Sequence, residues 1–408
     1  MAPTDSKLLF RLKELSRRMW VRVTAFSLGG IFLALIASFI GRYVPYIPKV
    51  DLASGSVDSI LNIIASSMLA VTTFSVSIMV QAYGSATSNA TPRATRLLAD
   101  DSSAQNAVAV FIGSFLFSIV GIIGIAAGLY QDQARVVLFF ATLGVIATIA
   151  ITLLNWFNHL NDFGRVRDIV VRIEAEAMGA AEKMRLNPIM GANPLPSPLG
   201  DIAPILGAET SGYVRYLDID GLAEAADEAG LRVEIRRMPG KYVHEGEALL
   251  RLSATPDDKT ARALRKAFVI GTTRSFEQDL GYGLIVLSEV ASRALSPAVN
   301  DPGTAIEVLR AGTRVLQRLH IPHTGEEQEA AVKPHIHAPP FEMEALYQTF
   351  FWPIARDGKG LVEVQETLID CLSALEGMGG GAAARQMILR ARERSYDALS
   401  EWERERLG

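Results

Sequence analysis

Ser59-Ile60-Leu61-Asn62-Ile63-Ile64-Ala65-Ser66-Ser67-Met68-Leu69-Ala70-Val71-Thr72-Thr73-Phe74-Ser75-Val76-Ser77-Ile78-Met79-Val80-Gln81-Ala82-Tyr83-Gly84 contains no charged residue. A soluble core helix keeps charges on one face. Ser59–Val80 shows none and is long enough to span a ~30 Å hydrocarbon layer. Three more runs read the same way: Val23–Ile40, Ala107–Tyr130 and Val136–Phe157. The reading is four transmembrane helices. The first follows a basic stretch, as a signal peptide would, but Gly41-Arg42-Tyr43-Val44-Pro45 makes a poor cleavage site, so an uncleaved anchor is expected.

The rest of the chain differs in kind. Of 408 residues, 49% are hydrophobic and 21% charged, and mean hydropathy is +0.22. Residues 1–159 hold 11 Lys and Arg against 7 Asp and Glu, whereas residues 160–408 hold 29 against 37. This argues against a disordered chain and against a wholly soluble one. The acidic second half argues against a nucleic-acid partner. A lone cysteine, Cys371, excludes a disulfide framework.

Lys and Arg in short loops give the expected orientation. Lys7, Arg11, Lys13, Arg17, Arg18 and Arg22 precede the first span; Arg93 and Arg96 follow the second; Arg165, Arg167 and Arg172 follow the fourth. The opposite loops hold only Arg42, Lys49 and Arg135. Both termini are therefore expected on the cytoplasmic side of the membrane. The expected order is a basic N-tail (1–22), a four-helix membrane domain (23–159), a helix with a Pro-rich linker (160–204), a small β-rich module (205–255) and a helical cytoplasmic domain (256–408).

The second span has one unusual face. Ser59, Asn62, Ser66, Ala70, Thr73, Ser77, Gln81 and Gly84 follow one another at steps of three and four, so one side of the helix is polar or small throughout. Ile60, Ile63, Ile64, Leu69, Phe74, Ile78 and Met79 occupy the other sides. Lipid is a poor neighbour for such a stripe. Two readings remain open: tight packing on a neighbouring helix, or the lining of a water-filled path formed by several copies. In the second, Arg93 and Arg96 would ring the inner mouth and attract anions; otherwise they touch lipid phosphates. Small-residue spacings at Gly30, Ala34 and Ser38, Ser114 and Ser118, and Gly124 and Gly128 imply close helix packing. No ionisable residue lies in the middle of a span, which argues against a proton-coupled pump.

Past the linker, Gly212–Asp218 and Leu231–Arg237 alternate as strands, and Gly240–Leu250 reads as a glycine-punctuated hairpin. The Gly-x-x-Val-x-x-Gly-x-x-Leu spacing suggests a lipoyl-like half-barrel without its modified lysine. From Asp257 onward the pattern is helical, with helices over Asp258–Ile270, from Phe276 to Ala294, from Asp301 to about Leu319, and two after Pro353. The fold expected is four transmembrane helices plus an α+β domain with a small barrel-like β module and a helical C-terminal part.

Phe268-Val269-Ile270-Gly271, Arg274, Gln278-Asp279, Ala294-Leu295-Ser296-Pro297-Ala298-Val299-Asn300-Asp301-Pro302 and Thr304-Ala305 resemble the signature of the bacterial "domain of unknown function 2254" family of predicted membrane proteins. Thr73-Phe74-Ser75 and Pro92-Arg93 resemble its second-helix region. The resemblance implies a four-helix membrane region with a cytoplasmic domain, and no activity.

Within that segment, Arg274, Asp279, Arg293, Ser296, Asn300, Asp301 and Thr304 form a candidate anion or ligand site at a helix N-terminus. The plainer reading is that Asn300, Asp301 and Thr304 cap the helix. His320, His323, His335 and His337 have possible metal spacings but sit among Pro322, Pro334, Pro339, Pro340 and acidic Glu326–Glu329, so a surface excursion is expected and no metal site is assigned. His159 is read as an interfacial anchor beside Trp156. No nucleotide, hydrolase or metalloprotease motif is present. No catalytic residue or cofactor is assigned. The functional expectation is a homo-oligomer in the bilayer with a conducting or gated path for ions; the alternative is a non-conducting sensor or scaffold.

Overall fold

The computed structural model describes Leu15, Ser16 and residues 18–40, 56–130, 132–195, 199, 203–322 and 333–407. Lys7, Arg11, Lys13, Arg17, Arg42, Lys49, Pro196, Pro198, His323 and Glu326–Glu329 lie outside the described residues. The chain divides into two compact units. Of the described residues, one contains those up to Thr87 and Thr95–Arg165; the other contains Ser88–Ala94 and those from Val166 on.

Among the described residues, the first unit holds four helices long and apolar enough to cross a membrane: α1 (Met19–Ile40), α2 (Ser56–Asn89), α3 (Ser102–Ala126) and α4 (Asp132–Leu160). α3 is the innermost, with 56% of its apolar window buried against 11% to 28% for the others. Its start is fixed by Asp101, whose carboxylate accepts the Ala104 N–H at 2.7 Å. α1 packs on α3 through the small face read from its sequence. A Cβ at Gly113 would stand 2.9 Å from the Phe26 carbonyl oxygen. Further along, the Tyr130 hydroxyl donates to Ala34 O at 2.8 Å and the Ser38 hydroxyl to Leu129 O at 3.0 Å. Ala34, Ala37, Val57, Leu61, Phe117, Tyr130, Ala134 and Leu138 form a common core. The Gly124–Gly128 spacing serves another purpose. α3 ends before Gly128, and Gly124 makes room for the Tyr130 ring.

The second unit is mixed α/β. Its strands are β1 (Asn193–Pro194), β2 (Ile205–Gly207), β3 (Gly212–Leu217), β4 (Val233–Ile235), β5 (Tyr242–Val243), β6 (Ala248–Leu252), β7 (Phe268–Gly271) and β8 (Ile336–Ala338). The expected barrel-like module is not formed. The strands make two open sheets, one ordered β1-β8-β4-β6-β2 and one β5-β3-β7. Two distant segments explain the difference. β7 takes the free edge of β3, whose other edge holds β5, while β6, the second arm of the expected hairpin, pairs with β2 and β4 in the other sheet. β8 enters the larger sheet parallel to both β1 and β4. Asp258–Ile270 is accordingly not one helix: α7 stops at Lys266 and β7 begins at Phe268.

The helices of this unit are α5 (Val166–Leu186), α6 (Ile219–Glu228), α7 (Asp258–Lys266), α8 (Leu280–Ala294), α9 (Pro302–Leu319), α10 (Met343–Asp357), α11 (Val362–Leu375), α12 (Gly381–Ser395) and α13 (Glu401–Arg406). Pro353 lies inside α10, and the two helices expected after it follow as α11 and α12. α5 packs on α8 and α9, α8 on α10, and α11 on α9 and α12. Gly283 of α8 lets α5 approach, since a Cβ there would meet the Ala177 Cβ at 2.7 Å. Tyr347, Phe350 and Phe351 fill the space between helices and are fully buried.

Candidate functional site

The polar stripe of α2 faces out of its unit. Ser59, Asn62, Ser66, Ala70, Thr73, Ser77, Gln81 and Gly84 are all exposed. The opposite side of the helix, with Val57, Leu61, Ile64, Ala65, Met68, Ser75, Met79, Ala82 and Ala86, is buried. At about 100° per residue the stripe runs nearly straight along the helix. Ile63 and Phe74 border it on one side, and Leu69, Val76 and Val80 on the other; all five are exposed. Among the described residues, the stripe is not packed within this unit. Three hydroxyls bond to their own helix: Ser66 donates to Asn62 O at 3.0 Å, Thr73 to Leu69 O at 3.0 Å and Ser77 to Thr73 O at 2.9 Å. The Asn62 amide likewise donates to Asp58 O at 3.0 Å. These bonds satisfy the donors and leave acceptor lone pairs on the surface.

Arg93 does not stand free at the end of α2. The loop Ser88–Ala94 belongs to the α/β unit. There Arg93 Nη1 pairs with Glu289 Oε1 at 2.5 Å, and the Thr91 hydroxyl donates to Glu289 Oε2 at 2.8 Å. Thr91 is only 3% exposed. Pro92–Ala94 forms a 3-10 turn and Thr95–Ala99 a short helix, on which Arg96 is exposed.

The seven-residue ligand candidate splits in two. Arg274 and Asp279 sit at the N-terminus of α8. Arg293, Ser296, Asn300, Asp301 and Thr304 lie at its far end, ~20 Å away along a helix of 15 residues. Each group has a structural occupation. The Arg274 guanidinium holds the Asp279 carboxylate at 2.7 and 2.8 Å, and the same carboxylate caps α8 by accepting the Tyr282 N–H at 3.0 Å. Next to them the Gln278 side chain accepts the Leu217 N–H at 2.8 Å and donates to Leu217 O at 3.1 Å, acting as a strand partner for β3. At the other end Asp301 caps α9, accepting the Thr304 N–H at 3.1 Å and its hydroxyl at 2.6 Å. Those two bonds hold the Asp301 carboxyl below the usual carboxylate range. Ser296 donates to Arg293 O at 2.7 Å, and the Asp301 N–H to Ala294 O at 2.8 Å. Asn300 takes the left-handed turn of the corner with φ +50°.

Among the described residues no cluster of His, Cys, Asp and Glu could hold a metal ion. His320 caps the end of α9 and its Nε2 lies 2.8 Å from the Tyr347 hydroxyl. Burial lowers the His320 pKa and pushes Tyr347 up to about 12. His337 lies on β8 with its Nδ1 3.3 Å from Pro194 O. His159 is more than an anchor: its Nε2 lies 3.1 Å from Asp101 Oδ1, and its ring packs against Trp156 and Phe163.

Sequence reasoning missed the roles of Glu289, Glu182 and Tyr347. Glu182 of α5 is gripped by Arg185 at 2.7 Å and by Arg318 of α9 at 2.5 Å, which hold its carboxyl at about 2. No local motif marks such pairs; Glu182 is one of four carboxylates on α5, and the only signal at Glu289 was a lone carboxylate on a mostly apolar helix.

The architecture defines a membrane protein with four candidate spans and an appended α/β unit. The chain belongs to the DUF2254 family of predicted membrane proteins, whose model matches residues 16–374. It is similar to uncharacterised proteins of Mycobacterium bovis and Mycobacterium tuberculosis, 28% identical over 268 residues, covering 62% of this chain and 51% of theirs. The chain thus spans about half the length of the curated relatives it matches. No solved structure matches it.

Proposed function

We propose that the protein assembles from several copies in the bacterial inner membrane, with both termini cytoplasmic, and that its second helices together line a path for ions. One observation carries this reading: a polar stripe bordered by exposed apolar side chains, on a helix whose rear face is already buried in its own unit. Four spans enclose too little space for a pore, so the path requires an oligomer. Around a central axis the stripe would meet water, while Ile63 and Phe74 of one copy would meet Leu69, Val76 and Val80 of the next.

The alternative is a non-conducting sensor or scaffold. It draws support from the back-bonded hydroxyls of Ser66, Thr73 and Ser77, which soften the stripe enough for dry packing between copies. Purified protein in liposomes separates the two. A path predicts ion flux that changes in rate or selectivity when Thr73 or Ser77 is replaced by Leu. Robust flux indifferent to both substitutions defeats the lining, and a monomer in native-like membranes defeats the path.

A further inference from the structure

Glu289 is the only carboxylate on α8, a helix otherwise buried along most of its length. Its two oxygens are taken by one loop, Oε2 by the Thr91 hydroxyl and Oε1 by the Arg93 guanidinium. That loop is not an arbitrary one. α2 runs to Asn89, so Thr91 and Arg93 follow the stripe-bearing helix by two and four residues. Ser88–Ala94 belongs to the α/β unit, so the chain that leaves the second helix is fixed within that unit by these contacts.

We infer that Glu289 is a latch through which the α/β unit sets the position of the second helix and so regulates the path; this rests on the proposed function. The chemistry suits a latch rather than a fixed rivet. Thr91 is buried, which gives the contact a defined seat, whereas Arg93 and Glu289 have side chains 54% and 31% exposed, so the ion pair can exchange with water at modest cost. Since α8 also packs on α5, α10 and α9, a shift of any of these on binding a ligand or partner would move Glu289. A ligand that favours the shifted arrangement would then bias the end of the second helix.

Full-length protein in liposomes tests this with Glu289→Gln, Thr91→Val, the charge swap Arg93→Glu/Glu289→Arg, and Thr73→Leu as a stripe control. Hydrogen exchange reads the latch, and ion flux reads the path. The expected result is at least tenfold faster exchange across Ser88–Ala94 in Glu289→Gln and Thr91→Val, flux altered severalfold, and partial recovery of both in the swap, which restores the ion pair but not the acceptor for the Thr91 hydroxyl. Faster exchange with unchanged flux, while Thr73→Leu does change flux, overturns the latch and spares the path. Unchanged exchange in Glu289→Gln overturns the latch at its first step. Absence of flux from wild type and every variant overturns the path, and the regulation with it.

Discussion

Gly30 of α1 lies directly against the carbonyl oxygen of Gly113 of α3, with no room for a side chain between the two backbones. Close approach of this kind replaces the hydrophobic drive that helices lack inside lipid. Gly30→Leu should force α1 off α3 and cost about 1–3 kcal/mol as overpacking. Gly29 is the internal control, because a Cβ there meets nothing within 4 Å. Thermal unfolding in detergent should therefore show a lower midpoint for Gly30→Leu and little change for Gly29→Ala.

A second prediction concerns Gly240, whose backbone sits at φ +88° against the Asp279 carboxylate. Gly230 has φ +60° but open space around it. Gly230→Ala should show only the strain of a left-handed residue, about 1 kcal/mol. Gly240→Ala adds a clash with a carboxylate that cannot move without leaving Arg274 and the α8 cap, so it should destabilise clearly more. Asp279→Ala should cost about 1–3 kcal/mol, as expected when hydrogen bonds to a charged, part-buried group are lost. Chemical denaturation of the three variants, followed by α/β-unit fluorescence, ranks them. Equal effects of the two glycine substitutions would remove Asp279 from the argument.

The spans were legible because length and lack of charge suffice to mark them, and the α1 face was legible because Gly30, Ala34 and Ser38 keep helical spacing. The sheets were not. β8 is three residues long and pairs with β4 about a hundred positions earlier, and no local pattern encodes such a partner. Arg274 and Asp279 were grouped with Ser296 and Thr304 by sequence proximity, although the helix expected between them already placed the groups at opposite ends. The stripe on α2 was read as a pattern, but only the fold shows that the buried face is the other one. Glu289 stayed hidden because its partner Thr91 is 198 positions away.

The third prediction follows from Glu182. Arg185 first, and then Arg318, lower its pKa from 4.5 to about 2. A depressed carboxylate contributes stability that is fully present above its unfolded pKa and is lost as pH falls through the folded value. Wild type should therefore exceed Glu182→Gln in stability by a constant margin above about pH 5. The margin should shrink between about pH 5 and pH 2. It should be on the order of 1 kcal/mol, because the side chains are partly solvated. Unfolding midpoints of both proteins across this range check the prediction. A margin that stays level down to pH 2 would mean that Arg185 and Arg318 do not discriminate the ionised carboxylate.

The two faces of α2 give the fourth prediction, and it does not depend on whether ions flow. Ser75 is fully buried, whereas Thr73 and Ser77, two residues to either side, are exposed. Leu at position 75 must be fitted into a packed interior and should cost about 1–3 kcal/mol. Leu at 73 or 77 meets no packed neighbour among the described residues of the same unit and should leave the stability of the isolated chain within about 0.5 kcal/mol of wild type. If copies meet along the stripe, those same two substitutions should act on assembly instead. Mass photometry in lipid nanodiscs would then show a shift toward smaller species for Thr73→Leu and Ser77→Leu. Ser75→Leu would lower stability without that shift. The reverse pattern, with position 75 tolerant and position 73 destabilising, would mean that α2 is rotated relative to the fold described above. The polar stripe would then lie inside the unit and could not line a path between copies.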